Sequence, residues 1–304
     1  MCILLPLVAF VLLVPAAAGQ PPPPPTETAV VSTGAAPCGL AVHRGELWVG
    51  VYEAGTVLRL DRAGRVRQRL RVGRFACRLA VDDAAVWVTR DNAGRVVRID
   101  RRTGRRQTIR VTSPFDVVRA AGAIWVASFE SGSVAVFHPS SGRLARVHRV
   151  GGHPSGLTSC GGYIWVGHSR EETWLTRIDP RTRRARRVDV GVESPRAPNC
   201  LRGQLWVTTE HEAFRLAPRT GARLAHVPLG GTPGEAAAAP TGTEGNWMVW
   251  VTDKERSRIH RVDPATGRLV DTVAAGPGAF ALAELGGSMW VTSYAGADVR
   301  RYDP

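Results

Sequence analysis

The sequence predicts an all-β fold: a seven-bladed β-propeller of four-stranded antiparallel blades, the last blade closed by the N-terminal strand. Three observations carry this. A Leu/Ile/Val/Met-Trp-Val-small motif recurs seven times, with its tryptophans at Trp48, Trp87, Trp125, Trp165, Trp206, Trp250 and Trp290 and gaps of 39, 38, 40, 41, 44 and 40 residues. A fixed period of that length is one supersecondary unit copied in series, and it is the size of a propeller blade. Thirteen residues after most of the tryptophans comes an Asp-Pro-x-Thr-Gly turn or a variant of it, clearest at Asp100–Gly104, Asp179–Arg183 and Asp263–Gly267. Finally, the seventh repeat stops at Asp303-Pro304, one strand short, while a spare β-like run, Thr28–Thr33, precedes the first repeat. Pairing the two closes the ring and hides two sheet edges.

Each repeat lays out the same four strands. In the first, strand A is expected over Gly39–His43, strand B over Leu47–Tyr52, strand C over Thr56–Asp61 and strand D over Arg65–Val72. Runs such as Val57-Leu58-Arg59-Leu60 alternate with the period of two that a half-buried strand requires. The turn between C and D uses Pro to preset φ, Asp to bond its own backbone and Gly to take the left-handed position. Blade five is short between B and C, and blade six carries an Ala- and Gly-rich insertion over Gly230–Gly245. The repeated tryptophans read as packing between neighbouring sheets. Trp174 and Trp247 fall outside the repeat and are candidates for surface roles or loop anchors.

The division of the chain follows. Residues 1–18 read as a signal peptide, with an apolar run from Ile3 to Val14 and small residues before a cleavage point after Ala18. A basic n-region is missing, and an uncleaved anchor is the alternative, limited by Pro6, Pro15 and a span shorter than the ~20 residues a bilayer needs. Residues 19–27 form a Pro-rich spacer of polyproline II type, and 28–304 form the propeller, expected to be a monomer with no transmembrane span in the mature chain.

Four cysteines remain after such cleavage, an even number in a chain expected to be extracytoplasmic, whether secreted or held at the cell surface. Cys38 and Cys77 each lie ten residues before their tryptophan, at the start of strand A, whereas Cys160 and Cys200 lie five and six residues before theirs. Strands A line the channel, where equivalent atoms of adjacent blades approach within about 7 Å, close to disulfide reach. The expected bridges are Cys38 to Cys77 and Cys160 to Cys200. No Cys-x-x-Cys spacing or matched His pair points to zinc, and no metal site is assigned.

The net charge of +14 rests almost wholly on arginine, Lys254 being the only lysine. Part of this reads as the default cation of a composition rich in Ala, Gly, Arg, Val and Pro. Clustering makes a second reading: Arg102, Arg105 and Arg106 in blade two and Arg183, Arg184, Arg186 and Arg187 in blade four form a basic rim at C–D turns and outer strands. Such patches hold anionic envelope polymers, acidic head groups or nucleic acid without sequence preference. These runs lack interleaved aromatics for base stacking, which disfavours specific nucleic-acid recognition.

Segments such as Gly122-Ala123-Ile124-Trp125-Val126-Ala127 and Arg258–Gly267 resemble the repeats of the YVTN and streptogramin (virginiamycin B) lyase-like β-propellers. The resemblance covers about residues 28–304 and rests on turn and packing positions. It implies the propeller fold and a secreted or surface-attached binding module. For the lyases it also implies ring opening of a cyclic depsipeptide by elimination, with a histidine base and magnesium. That pattern places histidine directly after proline at the start of strand A and a Trp-Phe-Thr-Glu run in strand B. Here Pro37, Pro114, Pro154 and Pro195 precede Cys38, Phe115, Ser155 and Arg196, strand B reads Trp-Val, and His153 comes before Pro154. The general base of the lyases has no counterpart at the matching positions.

Recognition is expected where the B–C and D–A loops meet, because there the repeats differ in chemistry. The candidate ligand-binding residues are Tyr52, Arg90, Asp116, Phe129, His168, Glu210, Asp253 and Tyr294. His153, His168, Glu193, Glu210 and His211, all of blades four and five, are the candidates for an acid/base cluster. The sequence thus points to a binding module for a small molecule or an anionic envelope polymer, with no cofactor. The alternative is a metal-assisted lyase or hydrolase, for which alone magnesium is implied.

Overall fold

The computed structural model describes residues 22–242 and 245–304, so the expected leader over 1–18 and the beginning of the spacer lie outside the described residues. Among the described residues, twenty-eight strands form seven four-stranded antiparallel sheets. Blade one shows the pattern: strand A is Pro37–His43, B is Glu46–Val51, C is Thr56–Leu60 and D is Val66–Arg71, paired in that order. The inner strands of the other blades are Ala76–Val81, Pro114–Ala120, Pro154–Cys160, Ala197–Leu201, Pro233–Pro240 and Ala279–Leu285.

Closure is as the repeat count requires. The N-terminal strand, Thr26–Ser32, pairs antiparallel with Asp298–Asp303 and supplies strand D of blade seven. It starts at Thr26, two residues before the expected Thr28. Glu27 fastens it by accepting from Arg300 Nη1 at 3.0 Å and from the Tyr302 hydroxyl at 3.2 Å. The carbonyls of Pro22 and Pro23 accept from the buried Arg261, so these two residues lie against blade six.

The core is seven clusters, one at each junction between blades. In each, the tryptophan of one blade packs on the strands of the next. Trp48 lies with Val57, Val86 and Val97, Trp87 with Ile124 and Val126, and so on round to Trp290, which packs on Leu47 and Val49 of blade one. All seven repeat tryptophans are buried. Trp174 and Trp247 are half-buried at the starts of strands, beneath the guanidinium groups of Arg187 and Arg202 respectively. They anchor loops.

The Ala-rich segment of blade six departs from the expectation. It is not an inserted loop: Pro233–Pro240 is strand A itself, and the extra residues lie in the A–B connection that follows. Alanine has little strand preference, but near the axis seven inner strands converge and small side chains are what fits.

Both expected disulfides are present, Cys38–Cys77 with Cα atoms 4.9 Å apart and Cys160–Cys200 with Cα atoms 5.4 Å apart. Glycines accompany them. A Cβ on Gly39 or Gly50 would stand within 2.4 Å of the Cys77 carbonyl oxygen, and one on Gly156 or Gly167 within 2.4 Å of that of Arg196. Blades one and two, and blades four and five, therefore approach more closely than a side chain permits.

Candidate functional site

Six of the seven inner strands carry a β-bulge near their start. Pairing with strand B skips residues between Pro37 and Leu40, Ala76 and Leu79, Pro114 and Asp116, Pro154 and Leu157, Pro233 and Ala236, and Ala279 and Leu282. A bulge re-aims a side chain, and here it turns Arg78, Phe115, Glu235 and Phe280 toward the axis, where they line a cavity of about 480 Å³ walled by all seven blades. Threonine hydroxyls from strand B of the preceding blade hold the bulges. Thr252 Oγ1 donates to the Phe280 carbonyl at 2.8 Å and Thr89 Oγ1 to that of Phe115 at 3.5 Å.

The cavity is polar at its centre and aromatic at its sides. Arg78 of blade two and Glu235 of blade six form an ion pair. Asp116 accepts from the backbone N–H groups of Val117 and Leu157, both at 2.8 Å; burial raises its carboxyl pKa, and the charge of Arg78 opposes that shift. Arg196 donates to the Pro233 carbonyl at 2.5 Å. On one side, the Phe280 ring lies 5.1 Å from the Arg78 guanidinium and 5.2 Å from the Lys254 ammonium, with Tyr294 at 6.0 Å. On the other, Phe115 stacks on Phe129 at 5.4 Å, and His153 follows at 5.1 Å from Phe129.

The sequence-derived candidates separate into three groups. Tyr52, Asp116, Phe129 and Tyr294 stand at or beside the cavity. The Tyr52 ring meets Phe75 edge-on at 5.3 Å and Tyr294 at 6.4 Å; its hydroxyl accepts from Asn92 Nδ2 at 2.7 Å, and burial together with Asp91 pushes its pKa up. Burial likewise raises the pKa of Tyr294. Arg90 turns away, its Nε donating to the Arg74 carbonyl at 3.0 Å.

His168 and Asp253 require correction as ligand contacts, because both are fully buried inside their own blades. The equivalent place in each repeat is where strand B ends beneath its loop. His168 Nε2 lies 2.9 Å from Thr176 Oγ1, and burial pulls its pKa down to about 4. Asp253 accepts from the backbone N–H groups of Thr232 and Arg256, and its other oxygen lies 3.7 Å from His260 Nε2.

The expected acid/base cluster is divided. His153 Nδ1 and Glu172 Oε1 lie 2.8 Å apart, and Arg170 Nη1 donates to His153 Nε2 at 2.7 Å, so both ring nitrogens are engaged. His211 bonds the Gly231 carbonyl at 3.1 Å in the next loop round the ring. Glu193 and Glu210 are exposed, the latter acting on Arg196 through its charge. Among the described residues no three His, Cys, Asp or Glu side chains come together to hold a metal ion.

The rim arginines, Arg102, Arg105, Arg106, Arg183, Arg184, Arg186 and Arg187, are all exposed. They occupy C–D turns and outer strands, and of them Arg187 reaches toward the loop side, over Trp174.

Sequence reasoning missed Arg78, Phe115, Arg196, Glu235, Lys254 and Phe280 as members of the site. A signal existed. Gly39, Arg78, Asp116, Gly156, Ala197 and Ala281 all lie nine residues before a repeat tryptophan, and only Arg78 and Asp116 depart from small residues. Phe115, Arg196 and Phe280 occupy the position before it.

No protein-family model matches the chain, nor does any curated protein. Solved structures do. One described as a streptogramin B lyase is 14% identical, with a TM-score of 0.75 over 92% of this chain and 96% of its own. The hydrazine synthase of Kuenenia stuttgartiensis is 15% identical, with a TM-score of 0.76 over 91% and 98%. BamB from Moraxella catarrhalis is 13% identical, with a TM-score of 0.65 over 93% and 98%. At these identities the likeness establishes the seven-bladed propeller fold. Enzymes and BamB share it, and so the fold leaves activity open.

Proposed function

We propose that this protein is an extracytoplasmic binding module that takes a small ligand at the mouth of its central channel. The observation that carries the reading is the cavity of about 480 Å³ into which bulged inner strands turn charged and aromatic side chains. Its volume lies in the usual range for ligand pockets, roughly 300–1,000 Å³. Two disulfides favour an oxidising compartment, and among the described residues no helix is long and apolar enough to cross a membrane.

A binding role is favoured over elimination chemistry by the state of the histidines. A general base needs a free lone pair within reach of substrate. His153 spends both nitrogens on Glu172 and Arg170, His168 is sealed from solvent, and His211, with only Nδ1 engaged, lies outside the lining of the cavity. The rim arginines add an electrostatic surface for anionic polymers.

The test is a thermal-shift screen of ring-bearing small molecules, repeated on Phe115→Ala. A ligand at 100 times its Kd adds about 2.7 kcal/mol to stability. The expected result is a concentration-dependent rise in Tm that shrinks in Phe115→Ala; equal rises in both proteins would place binding elsewhere.

A further inference from the structure

We infer that the mouth site selects a ligand with a flat ring and an anionic group, and that Glu235 occupies the anion's place in the free protein. The inference rests on the binding reading above and deepens it.

The charge count gives the sign. Arg78, Arg196 and Lys254 face the cavity against Glu235 and Asp116. Arg196 and Lys254 form no ion pair among the described residues, and the polar neighbour of Arg196 is a backbone carbonyl. Lys254 rests instead on aromatic faces, 4.3 Å from Tyr294 and 5.2 Å from Phe280. Burial moves Asp116 toward its neutral form, against the pull of Arg78. Glu210 and Glu255 act on Arg196, and Asp91 on Arg78, from outside the lining, but within the lining itself three cations face two acids, which leaves a cation for a ligand anion to meet.

Geometry gives the mode. Blades two and six stand across the ring from each other, so the Arg78–Glu235 pair spans the bore. A guanidinium so placed needs a carboxylate, and Glu235 is the one the chain supplies. A ligand carboxylate is chemically equivalent and exchanges with it, leaving Glu235 to turn to Lys254 of the same blade. The ring has its own place: Phe115 is 36% exposed inside the cavity wall, backed by Phe129, with Phe280 opposite. Offset stacking on these rings is the contact a flat ligand makes and an aliphatic one does not.

The experiment uses three probes with one ring system, naphthalene-2-carboxylate, 2-naphthamide and 2-naphthylmethylammonium, each titrated into the purified protein and followed by ligand-observed NMR. The carboxylate is expected to bind about tenfold tighter than the amide, and the ammonium weakest. Glu235→Gln should tighten the carboxylate several-fold, because its competitor is weakened. Arg78→Gln should abolish the preference among the probes, with near-ultraviolet circular dichroism confirming the fold. Equal binding of all three probes, or no gain in Glu235→Gln, overturns the anion assignment and leaves the mouth site standing. Binding of none of them overturns both.

Discussion

Arg78 of blade two and Glu235 of blade six meet across the central channel, each carried there by a bulge at the start of its inner strand. The two residues are far apart in the chain and separated by half the ring, so the pair braces opposite blades as well as closing the bore. Both side chains are about four-fifths shielded, so loss of one partner strands a poorly solvated charge. In a double-mutant cycle with Arg78→Met and Glu235→Met, each single change is expected to cost about 2–4 kcal/mol and the double change less than their sum. Urea denaturation measures this, and additive costs would show that the two charges act independently.

The disulfides yield a second prediction. Each joins inner strands of adjacent blades and closes a loop of 39 or 40 residues. For loops of that length, lost chain entropy in the unfolded state corresponds to about 4 kcal/mol per bridge, less any native strain. The paired change Cys38→Ser with Cys77→Ser should therefore lower stability by roughly 2–4 kcal/mol, and the pair at Cys160 and Cys200 by a similar amount. A thiol titration of the denatured, unreduced protein is the check on the bridges themselves. Free thiols at these four positions would sink both the bridges and the oxidising-compartment argument.

Much of the fold was legible because propeller repeats repeat their chemistry. Trp48 and its six counterparts mark strand B, and turns such as Asp263–Gly267 mark the step from C to D. The site was less legible because a bulge breaks the alternation that a strand pattern relies on. Arg78 lies nine residues before Trp87, whereas the extra A–B residues of blade six put Glu235 fifteen residues before Trp250, so a fixed offset from the tryptophan finds the first and not the second. His168 and Asp253 look like recognition residues because they vary between repeats. Their variation instead reflects different ways of filling the space beneath a loop, with Thr176 in one blade and His260 in the other.

Ring closure is testable by truncation. Removal of residues 1–25 leaves the N-terminal strand, with Glu27 still bonded to Arg300 and Tyr302. Removal of residues 1–32 strips blade seven of strand D and exposes the edge of Asp298–Asp303. The shorter truncation is expected to keep a near-native Tm. The longer one should lower it by about 10 °C or more, with association through the open edge visible by light scattering. Equal melting of the two would mean that the strand contributes little to closure.

His168 makes acid sensitivity a property of blade four. Burial lowers its pKa from 6.5 to about 4, and Glu172, whose charge acts in the opposite direction, does not offset it. The unfolded chain thus takes up a proton near pH 6.5 that the folded chain refuses until about pH 4. Stability from keeping the ring neutral is complete above pH 6.5, falls as pH drops through that window, and is lost below both values. A shift of this size corresponds to at most about 3 kcal/mol. His148 and His260 are shifted in the same direction by burial and add to the slope. Replacement by His168→Gln keeps an amide to meet Thr176 and removes the titration. Urea denaturation at pH 7 and pH 4.5 should then show the native protein losing more stability than the variant, by about 2 kcal/mol. If both lose the same amount, His168 is not the group that sets the acid limit.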